Sequence, residues 1–576
     1  MKKIFTLMLS IILFSSVANA TIFYVDPVGG DDMRDASSWG TSVKTVAVAS
    51  AASALNTTVD SIYVKGGQMD IVTQWSIGND YFYGSFEGRV GETPATRPMI
   101  DADANGIVEP WEFKYPTLVK SAFYNPPSST SIVPAFNLSA PMLNGFTITH
   151  IPLVEPALVG TRPESLMKTF TCTSVNVTFE NNIMRDCNVR SIQKSSTGGP
   201  IVGGLIAMKG KVKNCLFEKN TVYIDMAYDK PTIPLIDATT AKVTGCIIRN
   251  NKATLDFSEC GSISTTTFLP TAGNGRGLIF HTIAGVATDT DISKHSAVSN
   301  CIITNNEAVY IPFPPNADYP AGGPTTLTTG SVVNVWLLAF NTANTDSLFN
   351  CTIANNKATK LKTSGIFIYR GGGAGSHFVM NNVLLNNQND EIVDNMFIGD
   401  AGYTKGMIGN NIMNAGKNGL GWDLSTTFAA NNLFDLTAET AKFRKATTVV
   451  GKVTDGTVET ADWRLGAGSY LIGKGAATTR VKDLAGNSFA NPSAVGAYEY
   501  ATISGVNKLV SDASLLTILN KTIVSKVDGK MQVYAVTGKM ISNEKVTIGQ
   551  SMILQTGVYI VRIQNSSGSF VQKVVL

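Results

Sequence analysis

The feature that most constrains this chain is a short phrase that keeps returning. It reads Asn214-Cys215-Leu216-Phe217, Gly245-Cys246-Ile247-Ile248, Asn300-Cys301-Ile302-Ile303 and Asn350-Cys351-Thr352-Ile353. With Asn in place of Cys it recurs at Asn181-Asn182-Ile183-Met184, Asn381-Asn382-Val383-Leu384, Asn410-Asn411-Ile412-Met413 and Asn431-Asn432-Leu433-Phe434, and Asn144-Gly145-Phe146-Thr147 looks like an earlier copy. From Asn182 onward, the Cys-type positions are 33, 31, 55, 50, 31, 29 and 21 residues apart. Repetition at this period marks a stacked array, in which each unit buries its apolar side only against its neighbours. The two long spacings imply a coil plus an insertion, or two coils.

Stacking explains the residue types. Five residues after the Cys position an Asn recurs, at Asn220, Asn251, Asn306, Asn356 and Asn387. Superimposed Asn amides hydrogen-bond along a stack as ladders, and Asn tolerates the left-handed backbone that tight corners need. Cys in such a column is a small buried hydrophobe, so Cys215, Cys246, Cys301 and Cys351 read as free thiols in an interior stack. The position two after Cys is always large and apolar and faces inward; the position directly after it admits Thr352 and faces out. An α-solenoid fails because no 3.6-residue apolar pattern is sustained, and a β-propeller gives no reason for Asn columns. The expected fold is all-β: a right-handed parallel β-helix over 21–500, then a small C-terminal β-sandwich over 501–576.

Composition agrees and narrows the class. Charged residues are 15% of the chain, against roughly 25% for an average soluble protein, and the polar remainder suits a solvated β surface. A net charge of +3 carries no basic footprint for nucleic acid. Lys2 and Lys3, the apolar run Ile4 to Val17 and Ala18-Asn19-Ala20 read as a secretory signal over residues 1–20. That run is short of the roughly 20 residues that span a bilayer, and no later stretch qualifies. The expected location is therefore secreted or on the outer cell surface.

Three regions carry family resemblances. Phe23-Tyr24-Val25-Asp26-Pro27, Gly29-Gly30-Asp31-Asp32, Ser37-Ser38-Trp39-Gly40 and the Ala-rich helical stretch from Lys44-Thr45 to Leu55 lie within residues 21–67. This segment resembles the opening of surface β-helix proteins of the pectate-lyase-like superfamily, where a short helix caps the first coil; Asp31 and Asp32 then read as a turn in the cap. Leu471-Ile472-Gly473-Lys474-Gly475, Asp483-Leu484-Ala485-Gly486-Asn487 and Val495-Gly496-Ala497-Tyr498-Glu499 make residues 466–500 similar to the choice-of-anchor Q module, which implies an end module of the helix and a boundary near Tyr500. Val533-Tyr534-Ala535-Val536-Thr537-Gly538-Lys539-Met540, Gly557-Val558-Tyr559-Ile560-Val561 and Lys573-Val574-Val575-Leu576 resemble the type IX (Por) secretion sorting domain of Bacteroidetes. That resemblance implies the type IX machinery as a partner and release or attachment at the cell surface.

The sharpest chemical motif is Asp101-Ala-Asp103-Ala-Asn105-Gly106-Ile107-Val108-Glu109-Pro-Trp-Glu112, which fits the calcium-loop pattern at every constrained position. Asp101, Asp103 and Asn105 offer side-chain oxygens, Ile107 a carbonyl, and Glu112 a closing carboxylate, with Ca2+ as the expected ion. The bland reading is an Asp/Asn/Gly turn. Pro98 and Pro116 leave no room for long flanking helices. A polysaccharide lyase would need a base and a cation beside a uronate, for which Arg370, Arg276 and Lys230 are the candidates. A glycoside hydrolase needs two facing carboxylates, and the repeats contain few acidic pairs. The histidines show no metal spacing. Two insertions fall at about 260–291 and 310–330; the second places Tyr310, Phe313 and Tyr319 among prolines, suited to stacking on sugar rings. The preferred expectation is a surface β-helix engaging extracellular polysaccharide or glycan, with a polysaccharide lyase acting by β-elimination or a structural adhesin as alternatives.

Overall fold

Left-handed corners set the path of the backbone. The residue before each Cys-type position has a positive φ, at 52° in Asn214, 52° in Asn300, 51° in Asn350 and 58° in Asn381. Glycine takes this place at Gly245 and at Gly145, where the pairing of Thr147 with Ile183 shifts the early copy by one residue and sets Phe146 at the Cys position. A second corner follows four residues after the Cys position, at Lys219, Asn250, Asn305, Asn355 and Asn386, where φ lies between 54° and 58°. Only a three-residue strand such as Leu216–Glu218 fits between two such turns. Asn is the non-glycine residue that pays least for this conformation.

In a computed structural model of the chain, the described residues are 20–123 (without 57), 134–152, 168–193 (without 173), 206–226, 235–238, 241–256, 276–283, 296–311, 335–341, 346–359, 366–369, 377–389, 392–393, 396–398, 406–414, 429–500 (without 434 and 478–481) and 516–575 (without 520, 536, 538, 566 and 567). Residues 1–500 and 501–576 are two compact units.

The first unit is a right-handed parallel β-helix of four sheets. One full coil runs Gly210–Lys213 in sheet 1, Leu216–Glu218 in sheet 2, Thr221–Met226 in sheet 3 and Ile236–Asp237 in sheet 4, and re-enters sheet 1 at Ala241–Thr244. Register is kept from coil to coil: Val212 pairs with Val243, then Val298, Leu348 and Val379, while Phe217 pairs with Ile248, Ile303, Ile353 and Leu384. These rows are buried and form the interior. Both long spacings are single coils with longer connections, because Ile247 pairs directly with Ile302 and Ile302 with Thr352. The extra chain falls between Lys252–Asp256 and Arg276–Ile283, between Arg276–Ile283 and Ser296–Ser299, and between Glu307–Ile311 and Val335–Asn341.

The columns form as the residue types require. Asn220, Asn251, Asn306 and Asn356 each donate from Nδ2 to the next amide oxygen, ending on Asn387, at 2.8–2.9 Å. Each of these five amides also reaches back to a carbonyl of the preceding coil, as Asn220 does to Met184 at 3.0 Å. In the other column the thiols contact the equivalent carbonyls, Cys215 to Phe179 at 3.5 Å, which explains why Cys and Asn interchange there. Cys172, Cys187, Cys215, Cys246, Cys301 and Cys351 are buried thiols outside any disulfide; Cys260 lies outside the described residues.

At the N-terminal end the helix Val46–Ser53 begins at Thr45, whose hydroxyl caps Val48. Asp31 accepts from the Met33 amide at 3.1 Å, as a turn former does, while Asp32 accepts from the Lys44 and Thr45 amides at 2.9 and 2.8 Å and ties its segment to the start of the helix. The second unit has a three-stranded and a four-stranded antiparallel sheet around a core that includes Ile523, Met531, Val533 and Val561.

Candidate functional site

Sheet 2 presents two outward rows, and what covers them defines the site. The first row is Ile183, Leu216, Ile247, Ile302, Thr352, Val383 and Ile412, which faces away from the interior and is nevertheless buried. Residues 433–500 return along this face, and Leu436, Trp463, Leu471, Leu484, Val495 and Tyr498 pack against the row. The single polar member, Thr352, accepts a hydrogen bond from the Ala497 amide at 3.1 Å. Gly496 meets the row so closely that a Cβ there would sit 2.9 Å from the Thr352 hydroxyl.

The left-handed Asn residues hold the returning chain from both sides. On one edge Asn300, Asn381 and Asn410 donate to the carbonyls of Lys482, Ala476 and Lys474 at 2.7–3.1 Å. On the other edge Asn250, Asn305 and Asn355 donate to Val453, Val449 and Thr447 at 2.7–2.8 Å. The described residues of 447–497 thus lie along the flank of the coils.

The second outward row runs Arg185, Glu218, Arg249, Thr304, Ala354 and Leu385. At its charged end Glu218 is gripped by Arg185 at 3.1 Å and by Arg249 at 2.8 Å, with Glu218 and Arg249 both buried. Removing one partner of such a buried pair typically costs about 3–5 kcal/mol, because the other charge is stranded.

Against this end sits the acidic loop. It hangs between Tyr81–Phe86 of sheet 1 and Thr117–Ser121 of sheet 2, closed by a bridge between Met99 and Phe113, with no helix on either side. Ile107 and Trp111 pack into the same apolar cluster as the returning chain. Carboxylate oxygens of Asp101, Asp103 and Glu112 lie within 4.8 Å of one another. Asp101 accepts from the Gly106 amide at 2.9 Å, and Glu112 from the Ala102 and Glu109 amides at 2.8 Å each. Gly106 is where the chain needs a left-handed residue, with φ at 82°. Asn105 is committed inside the loop: its amide oxygen accepts from Ile107 at 2.7 Å and its nitrogen donates to Glu109 at 2.9 Å.

Glu109, which the calcium pattern leaves unconstrained, lies beside these three acids. It is 3% exposed, and its second carboxylate oxygen is buried with no partner, as is one oxygen of Asp101. It stands ninth in the twelve-residue loop, a position that contributes to such sites mostly through water; that position was the available signal. Burial raises Asp103 to about 6 despite Arg249, and burial beside Glu112 raises Glu109 to about 9. Arg249 reaches Asp103 at 3.6 Å, and Arg464 donates to the Asn105 carbonyl at 2.9 Å. The loop therefore touches the coil and the returning chain together.

Lys230, Arg370, Phe313 and Tyr319 lie outside the described residues, and of Arg276 and Tyr310 only the backbone is described. Arg276 pairs with Val335 in sheet 4, and Tyr310 pairs with Leu255, a buried residue of sheet 3. The outer face of sheet 1 is open and basic over the coils from Thr178 to Thr244, and buried at Asn144 before them and at Ser299 and Ser347 after them. Lys211 and Lys213 are exposed and pair with Lys242 and Thr244 on the next coil, beside Thr178 and Glu180 on the previous one, with Lys209 exposed at its margin. Lys213 reaches Glu180 at 2.8 Å. No helix among the described residues is long and apolar enough to cross a membrane. No protein-family model matches the chain, and no curated protein matches it.

Proposed function

We propose that this protein is an exported or cell-surface β-helix that engages extracellular polysaccharide or glycan by binding. The observation that carries this reading is the open stretch of sheet 1 from Thr178 to Thr244. Its outward side chains repeat at the strand spacing of about 4.8 Å, and Lys211, Lys213 and Lys242 share it with Thr178 and Thr244. A regular polar patch three strands wide with exposed ammonium groups favours a chain of hydroxyls and anionic groups. The N-terminal signal pattern supports export. The likeness of 501–576 to the type IX sorting domain supports that machinery as the route, and the likenesses of 21–67 and 466–500 support a surface β-helix of the pectate-lyase-like kind. The fold itself hosts binding and catalysis alike, so the reading rests on the face.

The test is retention of the purified chain on acidic and neutral polysaccharides, read together with ultraviolet absorbance of unsaturated products and with new reducing ends. Retention that falls at least tenfold in Lys211→Glu/Lys242→Glu, with both product channels silent, supports binding through this face. Unsaturated products would make the protein a lyase, new reducing ends a hydrolase, and absence of retention a structural adhesin.

A further inference from the structure

The acidic loop offers more carboxyl oxygens than its surroundings answer. Carboxylate oxygens of Asp101, Asp103 and Glu112 lie within 4.8 Å of one another, and Glu109 stands beside them with its amide bonded to Glu112. The nearby arginines are already engaged: Arg249 is held by Glu218 at 2.8 Å, and Arg464 by Asp462 at 2.8 and 2.6 Å. Hydrogen bonds from the loop's own amides satisfy some of the oxygens, but one oxygen of Asp101 and one of the almost wholly buried Glu109 have no partner. A buried polar atom without a partner calls for a specific reason, and two of them in one acidic cluster point to a positive charge.

We infer that Asp101, Asp103 and Glu112 hold a calcium ion, with Glu109 in its outer sphere, and that the ion fastens the loop to the coil and to the returning chain. The donors are all oxygen, which selects a hard cation over zinc or copper. Calcium accepts roughly six to eight oxygens in flexible arrangements, and the Ile107 carbonyl stands at the loop position that complements the carboxylates in that pattern. The ion is structural in this assignment. Its second sphere includes Arg249 on the coil, through Asp103, and Arg464 on the returning chain, through the Asn105 carbonyl. Binding therefore tightens a junction of three segments distant in sequence. The inference is independent of the glycan reading, since it concerns the other face of the coil.

Trp111, buried within the loop, supplies the readout. The metal-free full chain is titrated with terbium while tryptophan is excited, and calcium is then added as competitor. The expected result is saturable sensitised emission from one site per chain, displaced by calcium. Affinity falls at least tenfold in Glu109→Gln and emission is lost in Asp101→Asn/Glu112→Gln, while Asp70→Asn, at an exposed acid, leaves it unchanged. Calcium also slows proteolytic cleavage within residues 433–500 of the unaltered chain. Absence of saturable emission from the folded chain overturns the assignment. So does emission that survives in Asp101→Asn/Glu112→Gln, or a Glu109→Gln chain of native circular dichroism that binds as tightly as the parent.

Discussion

Sheets 1 and 2 are built by the same coils, yet their outer faces have opposite fates. Sheet 1 turns Lys211, Lys213 and Lys242 to solvent, whereas sheet 2 turns out Leu216, Ile247, Ile302 and Val383 and has them covered. A parallel sheet buried on both faces carries consecutive apolar residues, while a sheet with one wet face alternates. Leu216-Phe217 and Ile247-Ile248 are of the first kind, and Lys211-Val212-Lys213 of the second. The difference teaches that the repeat encodes two surfaces at once: one that builds the coil, and one that receives a later part of the chain.

The largest expected effect comes from charging the covered face. Val383→Asp buries an unpaired charge under the returning chain and costs about 4 kcal/mol or more, whereas Lys211→Asp on sheet 1 stays within about 0.5 kcal/mol. Urea unfolding monitored by circular dichroism distinguishes them, and equal costs would erase the contrast.

The inner face of sheet 2 offers the same trial by pH. His150 is 1% exposed, bonded to the Thr169 hydroxyl at 2.9 Å and the Phe123 carbonyl at 3.0 Å. Burial depresses it from 6.5 to about 4. A depressed histidine contributes its stability above pH 6.5, and loses it as pH falls toward 4, because the unfolded chain takes up the proton that the folded one refuses. The loss amounts to about 3 kcal/mol, and the acid-side slope disappears in His150→Gln.

Much of this was legible from residues. The left-handed corners at Asn214 and Asn300 followed from the tolerance of Asn for that backbone, and the ladder from Asn220 to Asn387 from its spacing. The outward turn of the position after Cys was also legible, but its burial was not, because the covering residues lie far along the chain and share no repeat with it. For the same reason the sequence could not show that Asn250 and Asn305 grip Val453 and Val449. In the candidate site, Asp101, Asp103 and Glu112 stood out by pattern and do converge. Glu109 was missed because its role depends on burial, and the contact with Arg249 depends on stacking.

Smaller effects separate the two jobs of Asn. Asn306→Ala breaks the ladder, leaves the Asn251 amide groups without their acceptor and costs about 2 kcal/mol. Asn355→Gly keeps the left-handed corner but loses the bonds to Thr447, and costs about 1 kcal/mol; Asn355→Ala adds the backbone penalty of about 1 kcal/mol. Thermal melts of the three variants rank them, and equal melting temperatures for the Gly and Ala variants would contradict the corner account.

The seal over sheet 2 is tested most directly by hydrogen exchange along residues 433–500. The Val453 amide donates to Asn250 at 2.8 Å, Gly496 to the Asn381 carbonyl at 2.9 Å and Ala497 to Thr352 at 3.1 Å. The account predicts that these amides exchange as slowly as those of Ile302 and Val383 beneath them. Exchange at the rate of an open loop, while the coil stays protected, would contradict it.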